Sequence, residues 1–298
     1  MEKLTACPAC GSGQLQAFFT CKDYTVSKEL FNIDSCIDCG LQFTNPRPTA
    51  SEIGYYYESK DYVSHTDEEA PGVVNAIYRE VRKVTLKQKR ALIEGITPVS
   101  ALLDIGCGTG AFAGNMKKAG WEVTAVEPDQ EAASRAAIQY DLKVHSEAWL
   151  EKCTETYQVV TMWHVLEHVH ALQQRFAELG RLVKPGGILV IAVPNPNSQD
   201  AQHYGSLWAA RDVPRHLYHF PPAMLRKRVV AEGFEVLATK NMHFDPFYIS
   251  LLSEKYKNQG DGGLFLGFSK GLYFWMKSLF TSDTGSSQIY IFRKTPFA

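Results

Sequence analysis

Residues 101–112 read ALLDIGCGTGAF. Ala101, Leu102, Leu103, Asp104 and Ile105 have the length and texture of a buried parallel strand, which Gly106, Gly108 and Gly110 break abruptly. A glycine-rich turn between strand and helix lets backbone approach a ligand closely, and by itself it does not distinguish a dinucleotide from other nucleosides. The spacing is G-x-G-x-G and not G-x-G-x-x-G, and Asp104 stands two residues before the first glycine. A carboxylate there would repel a pyrophosphate and welcome an ammonium, such as that of an amino acid moiety. Glu127 closes the next strand, where an acid can accept hydrogen bonds from two ribose hydroxyls.

Outward from this stretch, strands and helices alternate. ALLDI is followed by a helix over 111–119, the strand WEVTAVE, a helix over 129–139, and the strands LKVH and YQVVTMW. A helix over 170–183, the strand GILVIAVP, a helix over 222–232 and the strand FEVLATKNM complete the series. The order predicts an α/β fold with a doubly wound, mostly parallel sheet, helices on both faces and ligands at the carboxyl ends of the strands. Beyond Pro246 come two apolar segments of helical texture, and SSQIYIFRK reads as a last strand. The expected divisions are a small module over 1–48, a helical bridging segment over 49–97, and the main domain over 98–298 with an apolar insertion at about 246–283.

The small module ends at Asn45-Pro-Arg-Pro48 and holds two matched units, Cys7-x-x-Cys10 and Cys36-x-x-Cys39, each followed by glycine. Four thiolates in two such knuckles fit a tetrahedral zinc, held structurally because no ligand position stays open. Cys21 reads as a bystander.

With 31 Lys plus Arg against 32 Asp plus Glu, a net charge of -1 supplies no general attraction to polyanions. DNA is not expected as a partner and RNA is disfavoured. The opening MEKLTACPAC lacks the basic start and apolar core of a secretory signal, and no apolar run approaches the roughly 18 residues of a membrane span. A cytoplasmic location is expected.

LLDIGCGTG, VEPD, WHVLEHV and RLVKPGGILVIAVPN, in that order over about residues 100–240, resemble the successive motifs of the class I S-adenosylmethionine-dependent methyltransferases. The resemblance implies a Rossmann-like fold and that cofactor. It implies that Asp104, Gly106 and Gly108 line the methionine end and that Glu127 takes the ribose. The HSEAW segment, through Glu147 and Ala148, would border the adenine, and Cys107, Gly110, Pro128 and Trp163 complete the expected cofactor set. With the cysteine module, the chain also resembles a subset that includes sugar C-methyltransferases and some ribosomal RNA guanine methyltransferases. It is shorter than the former and lacks the basic balance of the latter. The segment TMWHVLEH in place of an N-P-P-Y-like one speaks against amino methylation of bases.

A sulfonium methyl is intrinsically electrophilic, so such an enzyme aligns the attacking atom, excludes water and, for a hydroxyl or carbon acid, removes a proton. His164 and His168 lie four apart and would share one face near the methyl if the segment after the strand turns helical. As a metal pair they lack a third ligand, and capping or packing is the plainer role. The long loop 195–222 is expected to help form the acceptor pocket, with Trp208, Arg211, Arg215, His216 and His219 as its capable members. His216 is the favoured base or hydrogen-bond partner, against a loop-stabilising role. Arg215 would meet a substrate phosphate or carboxylate, or pair with Asp212. YYYESKDYVSH (55–65) is a candidate lid, or packs on the sheet edge. GLFLGFSKGLYFWMKSLF (263–280) could meet a membrane surface, most directly through 264–280, or line a lipid-shaped site; a helical lid or dimer contact is the blander reading.

The expected activity is methyl transfer to an oxygen or carbon of a small-molecule, sugar or lipid-linked acceptor. RNA methylation, a zinc-dependent interaction protein with a vestigial cofactor pocket, and a nicotinamide oxidoreductase are the alternatives. Oligomeric state is left open.

Overall fold

The computed structural model describes residues 1–58, 73–258, 263–281 and 283–296. Residues 59–65 of the candidate lid, and 259–262 and 282 of the apolar insertion, lie outside the described residues. The N-terminal strands are β1 (Leu15–Lys22), β2 (Leu30–Cys36) and β3 (Gln42–Thr44), followed by the long helix α1 (Val73–Glu94). The alternating series is β4 (Ala101–Ile105), α2 (Ala111–Lys118), β5 (Glu122–Val126), α3 (Gln130–Tyr140), β6 (Lys143–His145), α4 (Ala148–Lys152), β7 (Tyr157–Trp163), α5 (Leu172–Leu182) and β8 (Val183–Pro194). Then come α6 (Gln199–Tyr204), β9 (Tyr218–His219), α7 (Pro222–Val230), β10 (Phe234–Asn241), α8 (Asp245–Asn258), α9 (Leu264–Ser278) and β11 (Ser287–Lys294).

The main sheet has the order β10-β11-β8-β7-β4-β5-β6. The run from β8 to β6 is parallel, while β11 is antiparallel to both its neighbours. That reversal follows from the α8–α9 hairpin, which returns the chain to the end of the sheet where β10 finished. The central strands are apolar on both faces, as a covered parallel sheet requires. Leu103, Ile105, Val160 and Leu189 pack with Phe176 and Leu179 on one side. Leu102, Val159, Ile188 and Val190 pack with Ile93, Phe112 and Met116 on the other, so α1 covers that face.

A second sheet has the order β1-β2-β3-β9. Its last strand belongs to the long loop after β8: Phe43 pairs with Tyr218 and Gln42 with His219. Cys7, Cys36, Leu41 and Phe43 share one apolar core with Leu217, Tyr218 and Phe220. The Cys-rich segment is therefore joined to the main domain through both a sheet and a core.

Candidate active site

The three glycines all have left-handed backbone, with φ of 72°, 55° and 82° at Gly106, Gly108 and Gly110. Their surroundings differ. A β-carbon on Gly106 would overlap the Val165 side chain, and one on Gly110 would lie 2.7 Å from the Ala136 β-carbon. One on Gly108 would meet nothing within 4 Å. Two glycines thus serve close packing, and Gly108 leaves room for a ligand. The amides of Gly106 and Cys107 both donate to the Val126 carbonyl, which fixes the turn over the end of β5. The half-buried Cys107 thiol is raised above its ordinary pKa by burial and by the nearby Asp104 and Glu127.

Two carboxylates face this turn. Asp104 is 2 % exposed and accepts a 2.6 Å hydrogen bond from Thr161, and burial pushes it up to about 7. Glu127 accepts from the Gly108 amide (2.7 Å, Oε2) and the Asp129 amide (3.0 Å, Oε1). Burial nevertheless raises it above the ordinary carboxylate range. Each of its oxygens keeps a second lone pair for a hydroxyl. A carboxyl group that can face an ammonium, a second that can take a diol and open space over Gly108 fit S-adenosylmethionine.

The remaining expected cofactor residues are placed unevenly. Pro128 is exposed beside Asp129, whose side chain caps α3. Glu147 is exposed and drawn to Arg175 at 2.6 Å, and Ala148 opens α4. Beside them the His145 ring stacks on Trp149 with centroids 4.1 Å apart, an apolar surface that sequence reasoning missed. Trp163 packs edge-on to Phe112, its Nε1 buried without a partner, and the Lys89 ammonium sits 4.2 Å from its ring centroid. Burial lowers Lys89 to about 8. In the sequence Lys89 was one of many charges on a basic helix, and nothing marked it out.

The histidines depart from expectation. Only a short 3-10 turn, Leu166–His168, follows β7, and His164 has left-handed backbone with φ of 57°. His164 and His168 therefore do not share a helical face. His164 lies between Glu167 Oε1 (3.3 Å) and Asp245 Oδ2 (3.4 Å). Burial opposes its charge, but the two carboxylates outweigh it and hold the imidazolium up to about 9. It is a charged tie, not a base.

His168 and His216 come together edge to face, with centroids 4.7 Å apart. The His168 Nδ1 lies 3.0 Å from the Arg215 carbonyl and 2.8 Å from the Tyr57 hydroxyl, and the His216 Nδ1 lies 2.9 Å from the Ala210 carbonyl. A carbonyl only accepts, so each Nδ1 carries the proton and each Nε2 keeps its lone pair. Burial and the neighbouring His216 lower His168 to about 4. A carboxylate oxygen of the fully buried Glu167 lies within 4.8 Å of one ring nitrogen of each.

Other members of the 195–222 loop are engaged in structural bonds. Trp208 donates to Asp200 (2.8 Å), Arg211 to Gln42 (2.7 Å), and His219 is buried opposite Gln42 in the second sheet. Arg215, 1 % exposed, pairs with Asp212 at 2.6 Å and Asp23 at 3.0 Å and donates to the Tyr56 carbonyl. It meets the module and not a substrate anion.

The four module thiols converge: Cys7 and Cys39 Sγ are 3.5 Å apart, Cys10 and Cys36 Sγ 3.6 Å, and all four lie within 4.8 Å of one another. Tetrahedral Zn–S bonds would separate the sulfurs by about 3.8 Å. Gly11 and Gly40, both left-handed, turn their amides onto the Cys7 and Cys36 carbonyls and close the two knuckles. The donor set fits zinc.

Residues 78–239 match the family described as methyltransferase domain, more than half of the chain. The chain belongs to that family, and its enzyme class is that of the S-adenosylmethionine-dependent methyltransferases. It is similar to the ubiquinone biosynthesis O-methyltransferase of Azorhizobium caulinodans, 26% identical over 181 residues that cover 56% of this chain and 72% of the relative. The protein of the same name from Paracidovorax citrulli is 27% identical over 187 residues, 57% and 76% of the two chains. Among solved structures, magnesium protoporphyrin IX methyltransferase from Synechocystis PCC 6803 with bound SAH superposes with a TM-score of 0.53 at 14% identity, covering 80% of this chain and 97% of that one. The [4+2]-cyclase SpnF superposes with 0.53 at 17% identity over 84% and 97%. These two establish the fold, and the cyclase is a reminder that the fold does not dictate the reaction.

Proposed function

We propose that the chain methylates a hydroxyl oxygen of a small-molecule acceptor, with His216 as the base. S-adenosylmethionine, held by Asp104, the Gly106–Gly110 turn and Glu127, would supply the electrophilic methyl. The observation that carries the reading is the Nδ1–H of His216 committed to the Ala210 carbonyl, which leaves Nε2 free to take the acceptor proton. Glu167 behind the ring pair would steady the imidazolium so formed, as a buried carboxylate does for a catalytic histidine. His168, in contact with His216 and Tyr57, would orient the acceptor. The O-methyltransferase relatives support oxygen as the acceptor atom, and sugar or lipid-linked hydroxyls fall under the same chemistry. Zinc on Cys7, Cys10, Cys36 and Cys39 is the structural element of this reading: it would hold β3, and through β3 the strand β9 next to His216.

The test is His216→Asn, which keeps a donor for the Ala210 carbonyl. Turnover should fall by about 10²–10⁴ with cofactor affinity unchanged, measured with a phenolic acceptor panel and calorimetry. Unchanged turnover in this variant removes His216 from the role.

A further inference from the structure

The α8–α9 hairpin has one face the enzyme uses and one it leaves bare. Gly267 and Gly271 press onto α8, where added β-carbons would lie 2.7 Å from the Leu251 Cα and 2.6 Å from the Phe247 Cα. Phe274 and Ser278, on the same face, are buried. The opposite face carries Phe265, Leu272 and Met276 at helical spacing, flanked by Phe268, whose ring also meets Phe247 of α8 at 5.3 Å, and Leu279 and Phe280 continue the apolar surface just past the helix end; all are exposed, Phe265 at 88% and Phe280 at 87%. This is a continuous apolar stripe, far from the scattered single residues of an ordinary surface.

Charge selects the occupant. α9 contains no acidic residue, and Lys270 and Lys277 run along one border of the stripe. On α8, Lys255 and Lys257 are exposed, whereas its two carboxylates are turned inward: Asp245 to His164 and Glu254 to Tyr204. Among the described residues, the exposed charges of the hairpin are therefore all positive. A stripe of Phe, Leu and Met bordered by lysines is complementary to an anionic lipid bilayer, with the rings in the headgroup boundary and the ammonium groups on phosphates. Among the described residues, no helix is long and apolar enough to cross a membrane, which fits a helix lying on the surface.

We propose that α9 docks this enzyme on the surface of anionic membranes. α8 begins at Asp245, which is ion-paired with His164 just after β7, so the hairpin is anchored at the carboxyl end of the parallel sheet.

The experiment is co-sedimentation of the full chain with phosphatidylcholine vesicles with and without phosphatidylglycerol, alongside analytical ultracentrifugation without lipid. The protein should pellet with the phosphatidylglycerol vesicles, less so at high salt. A Phe265→Ser/Phe280→Ser variant should weaken binding at least about tenfold, and Lys270→Glu/Lys277→Glu should abolish the anionic preference. Phe265, Lys277 and Phe280 are exposed and Lys270 is half-buried at the surface of α9, so melting temperature and cofactor binding should not change. Failure to pellet with either vesicle overturns the proposal. So does lipid-free dimerisation that the phenylalanine variant abolishes, because a second copy would then be the occupant.

Discussion

Gly106 lies against Val165, so closely that a β-carbon on the glycine would overlap the valine side chain. The glycine turn and the segment that carries Glu167 and His168 are thereby fitted to each other, and neither can shift alone. Gly106→Ala should cost about 2–5 kcal/mol through backbone strain and crowding, and it should abolish cofactor binding. Gly108→Ala meets no neighbour and should cost only about 1 kcal/mol of strain while still blocking the ligand. Urea unfolding with calorimetry separates the two, and Val165→Ala should restore stability to Gly106→Ala only. Equal destabilisation by both alanines would contradict this picture.

Asp104 sets a pH dependence whose sign is fixed by its burial. Its folded pKa is raised from 3.8 to about 7, so its favourable contribution to stability is full below pH about 4 and is lost as pH rises toward 7. Asp104→Asn can keep the Thr161 hydrogen bond, and its melting temperature should overtake that of the wild type as pH climbs from about 5 to 8. Wild-type cofactor affinity should rise over the same interval, since an ammonium favours the ionised acid, and the variant should lose both the affinity and the trend. A wild-type affinity independent of pH would remove Asp104 from the ammonium site.

The buried pair Arg215–Asp23 ties the Cys-rich module to the His216 loop at 3.0 Å, with both side chains at or below 1% exposed. Arg215→Met leaves Asp23 buried near Asp212 and should cost about 3–5 kcal/mol. Arg215→Met with Asp23→Asn should recover part of that loss. Hydrogen exchange should speed up first at 212–220 and at β1–β3; uniform acceleration across the main sheet would mean the pair has no local role.

Metal removal should act at a distance. The cysteines are far from the glycine turn in the chain, but β3 is the sheet neighbour of β9, two residues past His216. Chelator-treated protein or Cys36→Ser should lose turnover while keeping cofactor affinity, measured as a kcat change at constant Kd. A parallel loss of affinity would show that the module supports the whole domain and not the acceptor loop.

Much of the scaffold was legible because it is local. A five-residue apolar strand, a glycine turn and a following amphipathic helix are written in consecutive residues, and so were the two Cys-x-x-Cys-Gly knuckles. The carboxylates Asp104 and Glu127 could be named because a strand end fixes where its last side chains stand. The histidines could be picked by chemistry but not sorted by role. His164 became a tie because Asp245 arrives from α8, and His168 came to lie against His216 because that residue arrives from another loop.

The same reason covers the loop 195–222. Its sequence offers Trp208, Arg211, Arg215 and His219 as chemically able groups, and nothing local shows that Asp200, Gln42 and Asp23 will occupy the first three. A two-residue strand such as β9 has too little periodicity to be read, and its partner β3 lies at the other end of the chain. Sequence by itself determined the alternating strands and helices of the main sheet and the glycine turn after β4, since those depend on neighbouring residues and backbone preference. Only the tertiary structure decided which polar groups are left for chemistry, because a buried donor or acceptor is bound by whatever partner the packing brings within reach.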